Sequence, residues 1–147
     1  MVCVVVEDNA LVGDALTLDD LASLPWVVTY HGPTAFTPAL RQLQMIGIEP
    51  AIRVVTESFL AVPFLVAGTT RIGLLQATLA WRLAAAARIR VLPCPWDVVP
   101  LKEAFWWHPS NEADPAHAWL RATLAEAARA VTRPYGGGVG QASPDDG

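Results

Sequence analysis

Apolar residues fall along this chain in short runs whose period changes from one run to the next. Val2–Val6 is a continuous run rich in β-branched residues, which predicts a strand buried on both faces. Glu7-Asp8-Asn9 ends it. From Leu16 to Leu24 the period becomes helical, with Leu18, Leu21 and Leu24 on one face. Thr17 stands three residues before Asp20, a capping box with Asp in place of Glu; Leu16 and Leu21 form a hydrophobic staple, and Pro25 ends the helix. Trp26–Tyr30 reads as a strand and His31-Gly32-Pro33-Thr34 as the loop after it. Thr37 as N-cap and Pro38 at N1 then open a helix that runs to about Ile46 and closes at Gly47.

The next stretch is the centre of the pattern. Ala51–Val55 and Ile72–Leu75 read as strands, and the segment from Thr56 to Thr70 is long enough for a parallel crossover, so a βαβ unit is predicted. Within it, Ser58 is the expected N-cap of a buried helix over Phe59–Ala67. Pro63 is expected to kink that helix, and Gly68 to stop it. Chemistry in such units gathers at the carboxyl ends of strands, here Thr56, Glu57 and Ser58. The same residues also read as an ordinary turn and cap.

Ala77–Arg88 is helical by propensity and Ile89–Leu92 is a strand closed by Pro93-Cys94-Pro95. Lys102–Trp107 is aromatic and expected to be extended. Asp114 and Pro115 are an N-cap and N1 pair, after which Leu120, Leu124, Ala127, Ala128 and Val131 recur at helical spacing. Residues 132–147 have no periodicity and are expected to be a disordered tail. Alternating strands and helices place the chain in the α/β class.

Composition narrows the function. Of 147 residues, 53% are apolar and 16% charged, a sparse charged surface for a free-standing domain, which points to extensive burial or to a covering partner. The net charge of −4 and the single lysine, Lys102, provide no basic surface for nucleic acid. Cys3 and Cys94 have no metal-ligand spacing and lie in apolar runs, so both are expected to be buried thiols. His108 and His117, separated by a proline and a helix start, match no helical metal spacing. There is no G-x-S-x-G elbow, so no enzyme is expected. The start lacks a basic leader, and the longest charge-free apolar stretch is broken before Arg71, so a cytoplasmic protein without a membrane span is expected.

Three motifs in order resemble one family. MVCVVVEDNALVGDALTLDDLASLPWVVTY is similar to the middle of a LysR-type transcriptional regulator, where a strand runs through L-x-x-L-A-x-L-P into the next lobe. VAGTTRIGLL resembles that family's glycine-hinged turn and strand, although Gln76 stands where proline is common. FWWHPSNEADPAHAWLR resembles the closing motif of the NodD-like branch. The resemblance covers roughly Val2 to Val131. It implies a type II periplasmic-binding-protein-like fold, with one nearly complete effector lobe over 27–100 and part of a first lobe from 1–26 and 101–131. The family's N-terminal winged helix-turn-helix is missing from this stretch, so DNA would be bound only through a segment the chain lacks.

The same resemblance implies a small-molecule effector, a homo-oligomer and no cofactor. The effector wall would consist of Thr29, Tyr30, His31 and Thr34 after one strand, Thr56 and Ser58 after the next, and Thr69 and Thr70 from the turn before the third. These hydroxyls and one imidazole suit a small polar or aromatic molecule held by neutral hydrogen bonds. A non-binding remnant, or a reading frame begun too late, is the alternative. With its first-lobe neighbours missing, Val2–Val6 would present an unpaired apolar edge and draw chains together.

Overall fold

The computed structural model describes residues 1–30, 32, 37–100, 102 and 104–131. Five runs of apolar sequence become strands: β1 (Val2–Val6), β2 (Pro25–Thr29), β3 (Ala51–Thr56), β4 (Ile72–Leu75) and β5 (Ile89–Leu92). Between them lie α1 (Leu18–Ser23), α2 (Pro38–Met45), α3 (Val62–Val66) and α4 (Ala77–Ala87). A short 3₁₀ turn (Pro109–Asn111) and α5 (Pro115–Val131) follow. The chain divides into two compact units, Met1–Lys102 and Glu103–Gly147.

The first unit is one sheet in the order β3-β2-β4-β1-β5. β2 pairs in parallel with β3 and β4, whereas β1 is antiparallel to both β4 and β5. Every strand except β1 therefore points the same way. The crossover from β3 through α3 to β4 is parallel as expected, but it passes over β2.

Strand alternation divides the core between the two faces. Cys3, Val5, Trp26, Val28, Ile72 and Leu74 meet α1 and α2 through Leu21, Leu40 and Leu43. Val4, Val27 and Leu75 meet α3 and α4 through Val62, Val66, Ala80 and Ala87. A register shift between Trp26 and Val27, opposite Arg53, marks a bulge in edge strand β3.

Two expectations about β1 are corrected. Residues 1–26 do not belong to a lobe apart from 27–100; β1 and α1 share the sheet and core of the first unit. Nor is β1 an open edge, because β4 and β5 satisfy its backbone on both sides. A run buried on both faces has to be an inner strand, but the run itself does not say which strands flank it.

Helix ends follow local chemistry. At α1 the capping box forms in full: Thr17 Oγ1 accepts from the Asp20 N–H at 3.1 Å and Asp20 Oδ2 accepts from the Thr17 N–H at 2.8 Å. Thr37 caps α2, accepting from the Leu40 N–H at 3.3 Å, with Pro38 at N1. α3 departs from expectation. It begins at Val62, with Ala61 rather than Ser58 at the N-cap. The helix starts where Pro63 lies in the first turn, in which a missing N–H costs no bond. Gly68, at φ +65°, takes the left-handed position just beyond α3.

Gly73 is a point of close approach. A Cβ there would lie 2.6 Å from Val62 Cγ1 and 3.4 Å from Val4 Cγ2 and Val66 Cγ2. Gly73→Ala is expected to force α3 off the sheet and cost about 1–3 kcal/mol. Chemical denaturation checks it: the midpoint should fall with the m-value unchanged.

In the second unit, Asp114 caps α5 through Oδ1, which accepts from the Ala116 N–H at 2.8 Å and the His117 N–H at 3.3 Å. Arg121 organises the preceding turn. It donates to the Asn111 carbonyl at 3.1 Å and the Glu112 carbonyl at 3.0 Å, and lies 4.9 Å from the centre of the Trp107 ring. No residue of α5 is buried, and the described part of Lys102–Trp107 forms no strand. The expected tail, 132–147, lies outside the described residues.

Candidate functional site

Strand direction decides where a site can form. α2 leaves the carboxyl end of β2 for one face of the sheet, whereas α4 leaves the adjacent β4 for the other. Such a divergence opens a crevice beyond the strand ends, where ligands bind in open α/β sheets. Here it is shallow: a hollow of about 10 Å³ lined by Met1, Val28, Thr29, Thr37, Phe59 and Leu74, among others. That is room for about one water, so the feature is a wall rather than a closed pocket.

The predicted residues divide between the two ends of the sheet. Thr29, 4% exposed, ends β2. Tyr30 follows at φ +55°, a left-handed conformation that costs a non-glycine residue about 1–2 kcal/mol. Its N–H donates to the Thr56 carbonyl at 3.0 Å, and its ring meets Phe59 edge-on at 6.0 Å. Thr56 Oγ1 accepts from the Ser58 N–H at 3.1 Å, so these two residues form a tight turn beside Tyr30. His31 and Thr34 lie outside the described residues.

Thr69 and Thr70 are elsewhere. They precede β4, and Ile72 is level with Trp26 near the start of β2. Thr70 thus lies toward the opposite end of the sheet from Thr29. Thr69 Oγ1 donates to the Val66 carbonyl at 2.7 Å and accepts from the Arg71 N–H at 3.1 Å, which ties off α3. A larger concavity of about 330 Å³ lies at that end, bounded by Glu7, Asp8, Phe64, Gly68 and Arg88. It borders the carbonyl-bearing end of α4 and an exposed Arg88–Glu7 pair at 3.6 Å. Size favours this end, and Arg88 there is left-handed like Tyr30, at φ +50°; the divergence of the connections, the feature that builds sites in open α/β sheets, favours the other.

By sequence Gln76 is only a departure from a common proline. In the structure it stands at the carboxyl end of β4 as the N-cap of α4, yet makes no side-chain cap bond. Its Oε1 is enclosed and has no hydrogen-bond partner among the described residues. Nothing in the sequence distinguishes such a glutamine from a surface one.

The histidines serve local turns. His108 Nδ1 lies 2.8 Å from Ser110 Oγ, and His117 Nδ1 lies 3.0 Å from Arg121 Nη1. Among the described residues no three His, Cys, Asp or Glu side chains gather to hold a metal, and no helix is long and apolar enough to cross a membrane.

The family model of the LysR substrate binding domain matches residues 1–129. The chain belongs to the LysR substrate-binding-domain family. Nodulation protein D 2 of Rhizobium tropici is 29% identical over 135 residues, which cover 90% of this chain and 43% of that protein. The HTH-type transcriptional regulator SyrM of Rhizobium meliloti is 28% identical, with 86% and 39% covered. This LysR chain thus spans less than half the length of these relatives. Among solved structures, a Vibrio parahaemolyticus chain superposes with a TM-score of 0.74 at 23% identity, covering 88% of this chain and 61% of that one. The regulatory domain of MexT from Pseudomonas aeruginosa gives 0.65 at 24%, covering 85% and 62%. The fold is therefore the α/β, type II periplasmic-binding-protein-like fold of LysR regulatory domains. By name, SyrM is an HTH-type transcriptional regulator and MexT a transcriptional activator.

Proposed function

We propose that this LysR domain senses a small polar or aromatic effector at the carboxyl ends of β2 and β4. The observation that carries this is the divergence of α2 and α4 from adjacent strands, with the strained Tyr30 at its rim. Thr29, Tyr30, Thr37 and Gln76 supply hydroxyls and an amide, and Phe59 supplies a ring. His31 and Thr34, outside the described residues, fall between Tyr30 and Thr37 in sequence and belong to the proposed set on that ground alone. Thr69 ties off the α3–β4 turn instead, and Thr70 follows it there. DNA is engaged through a winged helix-turn-helix outside this chain, in a cytoplasmic homo-oligomer whose contacts do not involve the edge of β1, and no cofactor is required.

The test is binding of a panel of small aromatic and polar metabolites, followed by protein NMR. Perturbed resonances should cluster at Thr29, Tyr30 and Gln76. Gln76→Ala and Tyr30→Ala are each expected to raise Kd by about tenfold, the worth of one buried hydrogen bond or ring contact. Thr69→Ala should leave Kd unchanged. Binding lost in Thr69→Ala and intact in Gln76→Ala would move the site to the other end of the sheet. No binding by any of the panel would favour the non-binding remnant.

A further inference from the structure

Cys3 and Cys94 are 91 positions apart in sequence, yet the fold brings their Sγ atoms to 3.6 Å. Cys3 is on inner strand β1, level with Leu74 of β4 and Leu92 of β5. Cys94 lies two residues beyond Leu92, in the Pro93-Cys94-Pro95 turn that ends β5. Both side chains pack on the α1–α2 face of the sheet. Cys3 is fully buried and Cys94 half-buried, and both are free thiols.

We infer that Cys3 and Cys94 are a reversible thiol–disulfide pair, with Cys94 as the attacking sulfur and Cys3 as the resolving one. Only Cys94 can meet an oxidant from solvent, and Cys3 stands behind it within one short displacement. A disulfide needs an S–S distance of about 2.05 Å, so the sulfurs must approach by about 1.5 Å. The turn carrying Cys94 lies beyond the last ladder pair of β5, where it can move without breaking the sheet. The hydrogen bond between the thiols acts in the same sense. It lowers the Cys94 pKa against the opposing effect of burial, and it holds the Cys3 proton in place, raising the Cys3 pKa.

With a peroxide as oxidant the steps balance. The Cys94 thiolate attacks one peroxide oxygen, the O–O bond breaks, and hydroxide leaves and takes up the thiol proton as water. The sulfur becomes a sulfenic acid. Cys3 sulfur then attacks the Cys94 sulfur, the S–O bond breaks, and the hydroxyl leaves with the Cys3 proton as a second water. Two electrons pass from the sulfur pair to the peroxide. A dithiol reductant reverses the change by exchange, ending as its own disulfide.

The full chain is treated with micromolar hydrogen peroxide and analysed by intact mass, thiol titration after denaturation, and non-reducing tryptic mapping. The expected product is a monomer lighter by two hydrogens, with no titratable thiol. It should yield one cross-linked pair, the peptide containing Cys3 joined to the peptide from Val91 to Lys102, and revert with dithiothreitol. Its Tm should rise, because the bond closes a long loop. Cys3→Ala should stop at a sulfenic acid on Cys94 that dimedone traps, and Cys94→Ser should react at least about tenfold more slowly. Retention of both thiols in the unmodified chain, cross-links only between chains, or a Cys94→Ser variant as reactive as the original would overturn the inference. The tryptic map of the unmodified chain decides the matter even if a variant fails to fold.

Discussion

Val4→Lys is expected to unfold the first unit. Val4 is fully buried at the middle of β1, paired with Gly73 on one side and Val91 on the other. Its side chain lies in the core with Val62, Val66 and Leu75. A lysine there must bury an ammonium group or give up its proton, and either course costs several kcal/mol with no partner to offset it. A small domain has only about 5–15 kcal/mol of stability, so most of it is consumed. Amide dispersion in a proton–nitrogen correlation spectrum and far-UV circular dichroism would show the loss. A folded, monomeric Val4→Lys chain would instead mean that β1 is an exposed edge, as its sequence setting suggests, and that the five-strand order is wrong.

Trp26→Ala should cost about 3–5 kcal/mol, the usual loss for a large core aromatic. Trp26 is fully buried at the start of β2, among Leu21, Leu40 and Leu43. Its ring also has a polar task. Nε1 donates to the Leu21 carbonyl at 2.8 Å, and that carbonyl lies in the last turn of α1, where no intrahelical donor is available. The indole thus packs the core and caps the helix before it. Trp26→Phe separates the two roles: most of the packing is kept, but the carbonyl loses its donor, for about 1–3 kcal/mol. Urea denaturation midpoints for the two variants would rank them Ala below Phe below the unmodified chain. Equal midpoints for Phe and the unmodified chain would show that the bond is worth nothing to the fold.

Much of the local structure was legible in the residues themselves. Thr17 with Asp20, Thr37 with Pro38, and Asp114 with Pro115 start their helices as predicted, because a cap depends on groups within one turn of each other. α3 is the exception. Ser58 is a good cap by type, but the helix starts only at Val62, where Pro63 falls in its first turn. Of the candidate site, Thr29, Tyr30, Thr56 and Ser58 are brought together, whereas Thr69 and Thr70 are not. The two groups part because the chain enters β4 at the end of the sheet opposite to the one from which it leaves β2.

By itself, the sequence determined the class of the fold, the identity and approximate limits of its strands, and most of its helix caps. These depend on periodicity and on contacts between near neighbours along the chain. Only the tertiary structure decided that β1 lies between β4 and β5, that Gln76 is enclosed without a partner, and that the sulfurs of Cys3 and Cys94 meet. The physical reason is the same in each case. An apolar run states that it must be covered, through a hydrophobic effect that has no direction, and it carries no mark of which distant strand will cover it. The neighbours are chosen by backbone pairing across the whole sheet, and residues far apart in sequence acquire their chemistry only when that pairing is complete.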